Sequence, residues 1–298
     1  MLPIHDFFSV CFGDEFIARR CLWPTLADPV PGTAICTESE KFLQKRDETD
    51  DEIVIHNRIA HKGSRKMNLF LRGMMQAVAE SFPLPEPILE IGSYQVEGQA
   101  DILDLRSMFP GKDYVGTDFR AGPGVDLVAD VEKLSLPDAS VGTVIALSTF
   151  EHVEQFWLGF KEVERVLRPD GVFVVASPFY FHVHAYPNDY WRFTPEALKS
   201  LLKGYPTKIV GSHGPDRRMA NVWSIAFKDR AAQPTNPQLE AYKVNMAKYA
   251  REPLPWARRL KYQLGRVLCG RRPFAVYLDR ERWSIEVERT VTAVRRAA

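Results

Sequence analysis

The chain is short of the features that mark most non-globular proteins. Cysteine is scarce, four in 298 residues (Cys11, Cys21, Cys36 and Cys269), and no pair has C-x-x-C spacing. A disulfide scaffold is thereby excluded, and free thiols in a reducing compartment are expected. His5, Cys11, Cys21 and Cys36 offer four zinc-type ligands but none of the close pairs of a structural site, so no metal is expected. Long apolar runs are missing too. The longest, Gly171 to Val183, is too short to cross a bilayer and contains Ser177, Pro178 and His182. The opening MLPIHDFFSV has no positive stretch ahead of its apolar residues and no small-residue cleavage site, so a secretory leader is not expected. A cytoplasmic place is expected, with a peripheral one at the inner face of a membrane as the alternative.

What is present is a composition close to that of soluble proteins, 45% hydrophobic, 26% charged and 11% aromatic, which argues against disorder. The length suits one large α/β domain with additions or two small ones. The net charge of +1 conceals an uneven distribution. From Arg230 onward there are 15 basic against 6 acidic residues, and before it 24 against 32. Such asymmetry points to an anionic partner for the basic end, or to a solvated or internally paired helical face.

Patterning divides the chain at about residues 56 and 229. Residues 1–56, with turn signals at Pro24, Pro29, Pro31 and Gly32, are expected to form an N-terminal cap of loops and short helices. Asn57 to Phe82 reads as a helix with an apolar stripe of Leu69, Leu71, Met74, Met75 and Val78, stopped by Pro83 and Pro85. From Pro87 strands and helices alternate, the signature of a parallel sheet with crossover helices. The strands read are 88–91, 114–118, 127–129, 142–147, 172–176, 208–211 and 222–227. Between them, Phe156, Phe160, Val163 and Leu167 recur at helical spacing, and Thr194-Pro195-Glu196 starts a helix that Gly204 ends. The fold expected is therefore α/β, a seven-stranded, mostly parallel sheet with helices on both faces, over residues 57–229. Residues 230–298 are expected to form a basic helical extension. In it Trp256, Leu260, Leu264 and Leu268 recur every four residues while Arg258, Arg259, Lys261 and Arg266 lie elsewhere on the helix, an arrangement that suits an anionic membrane surface or docking on the main domain.

Chemistry concentrates after the first strand. In Leu89-Glu90-Ile91-Gly92-Ser93-Tyr94-Gln95-Val96-Glu97-Gly98 an apolar strand runs into a glycine, a polar loop and a second glycine that opens a helix, which makes room for a nucleotide-like ligand at the strand's carboxyl end. Tyr114-Val115-Gly116-Thr117-Asp118 then ends in an aspartate 20 residues after Gly98, placed to accept both hydroxyls of a ribose. Asp126-Leu127-Val128-Ala129-Asp130-Val131 supplies a carboxylate and an amide for an adenine ring. A G-x-G-x-x-G nicotinamide fingerprint is absent, which argues against a dehydrogenase.

In this order the run resembles the class I S-adenosylmethionine-dependent methyltransferases, with their Rossmann-like sheet. The resemblance covers Leu89 to Asp229 and extends to Leu147-Ser148-Thr149-Phe150-Glu151-His152-Val153, to Arg165-Val166-Leu167-Arg168-Pro169-Asp170-Gly171 and to Asn188-Asp189-Tyr190-Trp191-Arg192-Phe193-Thr194-Pro195. It implies S-adenosylmethionine as cofactor. Glu90 would lie near the methionine amino group, Gly92, Ser93, Tyr94 and Gly98 in the glycine loop, Asp118 and Phe119 at the ribose, Asp130 and Val131 about the adenine, and Ser148 and Thr149 under the sulfonium. Tyr94 stands where the family's usual loop has its second glycine.

Transfer from a sulfonium needs an in-line nucleophile at roughly 3 to 3.5 Å and a dry pocket, and for a hydroxyl nucleophile a base. The candidates are His152, after the fourth strand, and His182, His184 and Asp189, after the fifth. Alternation in an extended segment sends His182 and His184 to one face. His152 could equally serve only to orient its loop. Tyr190 and Trp191 read as core aromatics or a substrate wall, and Arg192 as the partner of a carboxylate or of an anionic acceptor. The resemblance implies O-methylation of a sugar, glycan or secondary metabolite, with RNA or a lipid-linked acceptor as one alternative and a non-catalytic binding module as another. The tail lacks the interleaved aromatics that would make nucleic acid the first choice.

Overall fold

The computed structural model describes residues 69–96, 103–184, 188–215, 218–229, 232–251, 255–270, 278 and 281–289. The expected N-terminal cap, the first part of the first helix, Gly98 and the cysteine and histidine set at 5–36 lie outside these residues.

Helix α1 (Leu69–Ser81) leads into β1 (Ile88–Ile91), β2 (Tyr114–Asp118), β3 (Leu127–Val128) and β4 (Val141–Leu147). Helix α2 (Phe156–Val166), β5 (Leu167–Pro178), α3 (Pro195–Leu201), β6 (Thr207–His213) and β7 (Asn221–Phe227) follow. Helices α4 (Asn236–Tyr249) and α5 (Trp256–Cys269) and strand β8 (Trp283–Arg289) complete the order. The sheet runs β3-β2-β1-β4-β5-β7-β6-β8, with β1 to β5 parallel and β7, β6 and β8 antiparallel to their neighbours.

Each of the seven strands read from the sequence is present. The interior strands β4 and β7 are buried along their whole length, as expected of strands covered on both faces. Alternation divides the core into two layers. Val172, Val174 and Ala176 of β5 face α1 and α4, while Phe173 and Val175 face α2 and α3. Of the stripe expected on α1, Leu71, Met74, Met75 and Val78 are buried, but Leu69 is exposed and Phe70 is buried instead. Thr194 caps α3, its hydroxyl accepting from the Ala197 amide at 3.1 Å.

The sheet does not end before the tail. β8 adds an eighth strand, antiparallel to β6 from Thr207 opposite Arg289 to His213 opposite Trp283. The expectation of a helical tail fails there because Trp283, Ile285 and Val287 alternate with Ser284, Glu286 and Glu288, a period of two among helical neighbours. Trp283, Ile285 and Val287 pack on the layer beneath α1 and α4, and Lys208 holds Glu288 at 3.0 Å. Helix α4 buries Leu239, Tyr242 and Met246, and the Trp223 indole N–H donates to the Tyr242 hydroxyl at 3.1 Å. At α1, Gly73 lies so close to α4 that a Cβ there would sit 2.1 Å from the Tyr249 carbonyl oxygen.

Candidate functional site

The strand order reverses at β1, which has β2 on one side and β4 on the other. In an open α/β sheet the crevice outside the carboxyl ends at such a point is where ligands bind. Here it holds a cavity of about 490 Å³. Its walls include ten of the eleven residues expected to hold the cofactor: Glu90, Gly92, Ser93, Tyr94, Asp118, Phe119, Asp130, Val131, Ser148 and Thr149. Gly98 falls outside the described residues.

The floor is where β1 and β4 interlock. Gly92 has a φ of +82° and a Cβ on it would lie 2.3 Å from the Thr149 hydroxyl, so only glycine fits. That hydroxyl donates to the Ile91 carbonyl at 2.9 Å. Ser148 beside it also has a positive φ, 55°, a conformation that costs a non-glycine residue about 1 to 3 kcal/mol and is found mainly at functional sites.

Glu90 is buried under the loop, and the Tyr114 hydroxyl donates to its carboxylate at 2.8 Å. Burial outweighs that bond and raises its pKa to about 7. Asp118, at the end of β2, accepts the Arg120 amide at 3.0 Å. The Arg120 guanidinium lies 4.4 Å from the Tyr94 ring centre and 4.9 Å from that of Phe119. Tyr94 is thus part of an aromatic wall clasping a cation, and Gly122 leaves room for its ring. Asp130 caps a short turn by accepting the Glu132 amide at 2.9 Å. Asp126 is occupied elsewhere, accepting the Gly116 amide at 2.7 Å and pairing with Arg106. Of the two adenine-side carboxylates, only Asp130 lines the cavity. An elongated recess with a glycine floor, a carboxylate ending β2 and aromatic walls fits S-adenosylmethionine.

The opposite end is built of histidine. His152, His182 and His184 all line the cavity. The His152 and His184 rings meet edge to face at 4.8 Å, and the His182 ring centre is 6.2 Å from that of His184. Burial lowers the pKa of His152, and its Nδ1 donates to the Asn188 carbonyl at 2.5 Å. His184 turns Nδ1 toward two acceptors, hydrogen-bonding the His182 carbonyl at 3.3 Å and lying 2.9 Å from the Asp189 carboxylate, so in the neutral ring Nδ1 carries the proton and Nε2 is left as an acceptor. Asp189 itself, expected among the groups open to the site, is 1% exposed and does not line the cavity. Arg192 and the His184 amide draw it inward and hold it well below the usual carboxylate range. Tyr190 stands in the wall, whereas Trp191 packs on Phe156 and donates its indole N–H to the Glu154 carbonyl.

Two participants had no signal in the sequence strong enough to single them out. One is Arg120. The other is Glu151, wholly buried behind His152, whose pKa burial pushes up to about 8 against the pull of its own backbone amide, Ser177 and Arg192. Glu151, His152 and His184 bring ligand-type atoms within 4.8 Å of one another. Burial raises the Glu151 pKa, so a cation bound there would have to displace a proton.

Residues 111–175, from the approach to β2 into β5, match the family model described as a methyltransferase domain. No curated protein matches the chain. Among solved structures, a SAM-dependent methyltransferase from Aquifex aeolicus is 15% identical, with a TM-score of 0.38 over 53% of this chain and 92% of that one. The YcgJ protein from Bacillus subtilis is 14% identical, TM-score 0.40, over 53% and 98%. The Burkholderia thailandensis 1,6-didemethyltoxoflavin-N1-methyltransferase, solved with 1,6-didemethyltoxoflavin and S-adenosylhomocysteine, is 14% identical, TM-score 0.41, over 55% and 80%. At such scores the likeness assigns no acceptor.

Proposed function

We propose that the chain, whose residues 111–175 match a methyltransferase domain, transfers a methyl group from S-adenosylmethionine to a hydroxyl of a small acceptor, a sugar, glycan or secondary metabolite, with His184 as the base. When bound, S-adenosylmethionine supplies a methyl group activated by a sulfonium. The glycine loop, Asp118 and Asp130 would hold it, with Asp118 accepting from the ribose hydroxyls. Glu90 would meet the amino group at the closed end.

One observation carries the acceptor-side assignment: the setting of His184, whose Nδ1 faces the His182 carbonyl and the Asp189 carboxylate that Arg192 holds. An imidazole whose Nδ1–H faces acceptors presents Nε2 to a hydroxyl proton, and the Asp189 carboxylate beside it stabilises the imidazolium that results. Asp189 is then a positioning residue. His152, kept neutral by its surroundings, lies beside His184 and orients the acceptor. The rings of Phe181 and Tyr190 at the cavity rim supply an apolar edge that excludes water.

The test is transfer of labelled methyl from S-adenosylmethionine to a panel of hydroxylated saccharides and phenols, with His184→Gln compared to the parent protein. Turnover falling by about 100-fold or more, with cofactor affinity unchanged, supports the assignment. Equal turnover by both would remove His184 from the chemistry, and product methylated at nitrogen or carbon would remove the hydroxyl.

A further inference from the structure

The cavity leaves one strongly patterned element unused. Helix α5 buries no residue. Trp256 is 79% exposed, Val267 81%, Leu268 67%, Leu264 58% and Leu260 52%. At 100° per residue these five side chains fall on one arc of about a third of the helix circumference. The opposite arc carries Arg258, Arg259, Lys261 and Arg266, and residues 255–270 contain no aspartate or glutamate. None of the four cations has an ion pair among the described residues.

We propose that α5 is an interfacial helix that binds the chain to an anionic lipid surface. Both halves of its surface then find partners. The apolar arc enters the boundary between headgroups and acyl chains, and the long side chains of the cations reach lipid phosphates from the other arc. Neither rival occupant satisfies both arcs. RNA would match the cations and leave the exposed tryptophan and leucines in water. A second copy packing arc on arc would bring together two helices each carrying four uncompensated positive charges.

The test uses the full chain and vesicles of phosphatidylcholine alone or of equimolar phosphatidylcholine and phosphatidylglycerol, separated by sedimentation. The protein is expected to sediment with the anionic vesicles and to be released as salt rises. Arg258→Ala/Arg259→Ala should lower partitioning roughly thirty-fold, about fivefold for each cation removed. Leu260→Ser/Leu264→Ser should lower it by at least about tenfold. Both variants, whose changes lie on a helix outside the core, should keep the parent's melting temperature and cofactor affinity. Failure to bind anionic vesicles overturns the proposal, as does equal binding to neutral ones. Loss with the arginine pair but not the leucine pair overturns it too, since that pattern belongs to a polyanion such as RNA. A dimer dissociated by the leucine pair, with no vesicle binding by the parent, makes α5 a self-association surface instead.

Discussion

Asp118 and Glu151 are both buried carboxyls at the carboxyl edge of the sheet, and their surroundings give them opposite tasks. Asp118 lines the cavity and accepts the Arg120 amide. Asp118→Ala should weaken S-adenosylmethionine binding by about 1.5 to 3 kcal/mol, the range for hydrogen bonds to a charged group. Calorimetric titration would reveal it, and unchanged affinity would remove Asp118 from the ribose. Glu151 is raised from an ordinary 4.5 to about 8. Between those values the unfolded chain has released this proton and the folded chain retains it, so stability falls as pH rises from about 4.5 to about 8 and then levels. Glu90, raised to about 7, adds to the same slope over the lower part of that window. Glu151→Gln should flatten the decline, so thermal melts from pH 5 to 9 should show the variant gaining on the parent toward the alkaline end. A parallel decline in both proteins would rule out this carboxyl as its source.

At the scale of elements, the contact between α1 and α4 is the tightest helix pairing described. Gly73→Ala improves helix propensity but places a methyl group 2.1 Å from the Tyr249 carbonyl oxygen. The clash should win, lowering stability by about 1 to 3 kcal/mol in denaturant unfolding. Thr194→Ala, which removes the cap of α3, should cost about 1 kcal/mol and leave the sheet intact. These elements also mark what could be read in advance. Strands β1, β2, β4 and β7 carry runs of apolar residues bounded by turn residues, so their places followed from pattern alone. Thr194-Pro195 announced α3 because capping is local chemistry. β8 escaped because seven alternating residues lie within a stretch dominated by arginine and helical spacing, and pairing with β6 is decided by contacts 70 to 82 positions away along the chain. That Gly92 and Asp118 would come together at one sheet edge was legible for the same local reason, since a glycine turn and a strand-ending aspartate each declare themselves. Asp189 was placed near the right histidine but on the wrong side of it. Only the fold brings Arg192 back to draw that carboxylate inward.

At the scale of the whole molecule, the distribution of charge noted in the sequence separates into two parts. Some of the tail's charge is internal: Lys199 and Lys208 pair with Glu286 and Glu288 of β8. Four of its cations, Arg258, Arg259, Lys261 and Arg266, are displayed on α5. Metal is a question at this scale too, since Glu151, His152 and His184 come from two separate loops. Transfer from a sulfonium needs only an in-line nucleophile and a dry pocket, so exhaustive dialysis against a chelator should leave methyl transfer undiminished. Activity lost to the chelator and restored by a divalent cation would reassign His184 from base to ligand.

The eighth strand gives α5 a geometry that a free tail would lack. The helix is preceded by α4, seated on the sheet face, and followed by β8, hydrogen-bonded along the sheet edge. It is therefore a loop with two fixed ends rather than a leash with one. A leash would let the catalytic body tumble at whatever surface it touched. Tethered at both ends, the proposed lipid-binding helix lets the body swing less far from such a surface than a single tether would, so the strand that completes the sheet also shortens the body's reach from it.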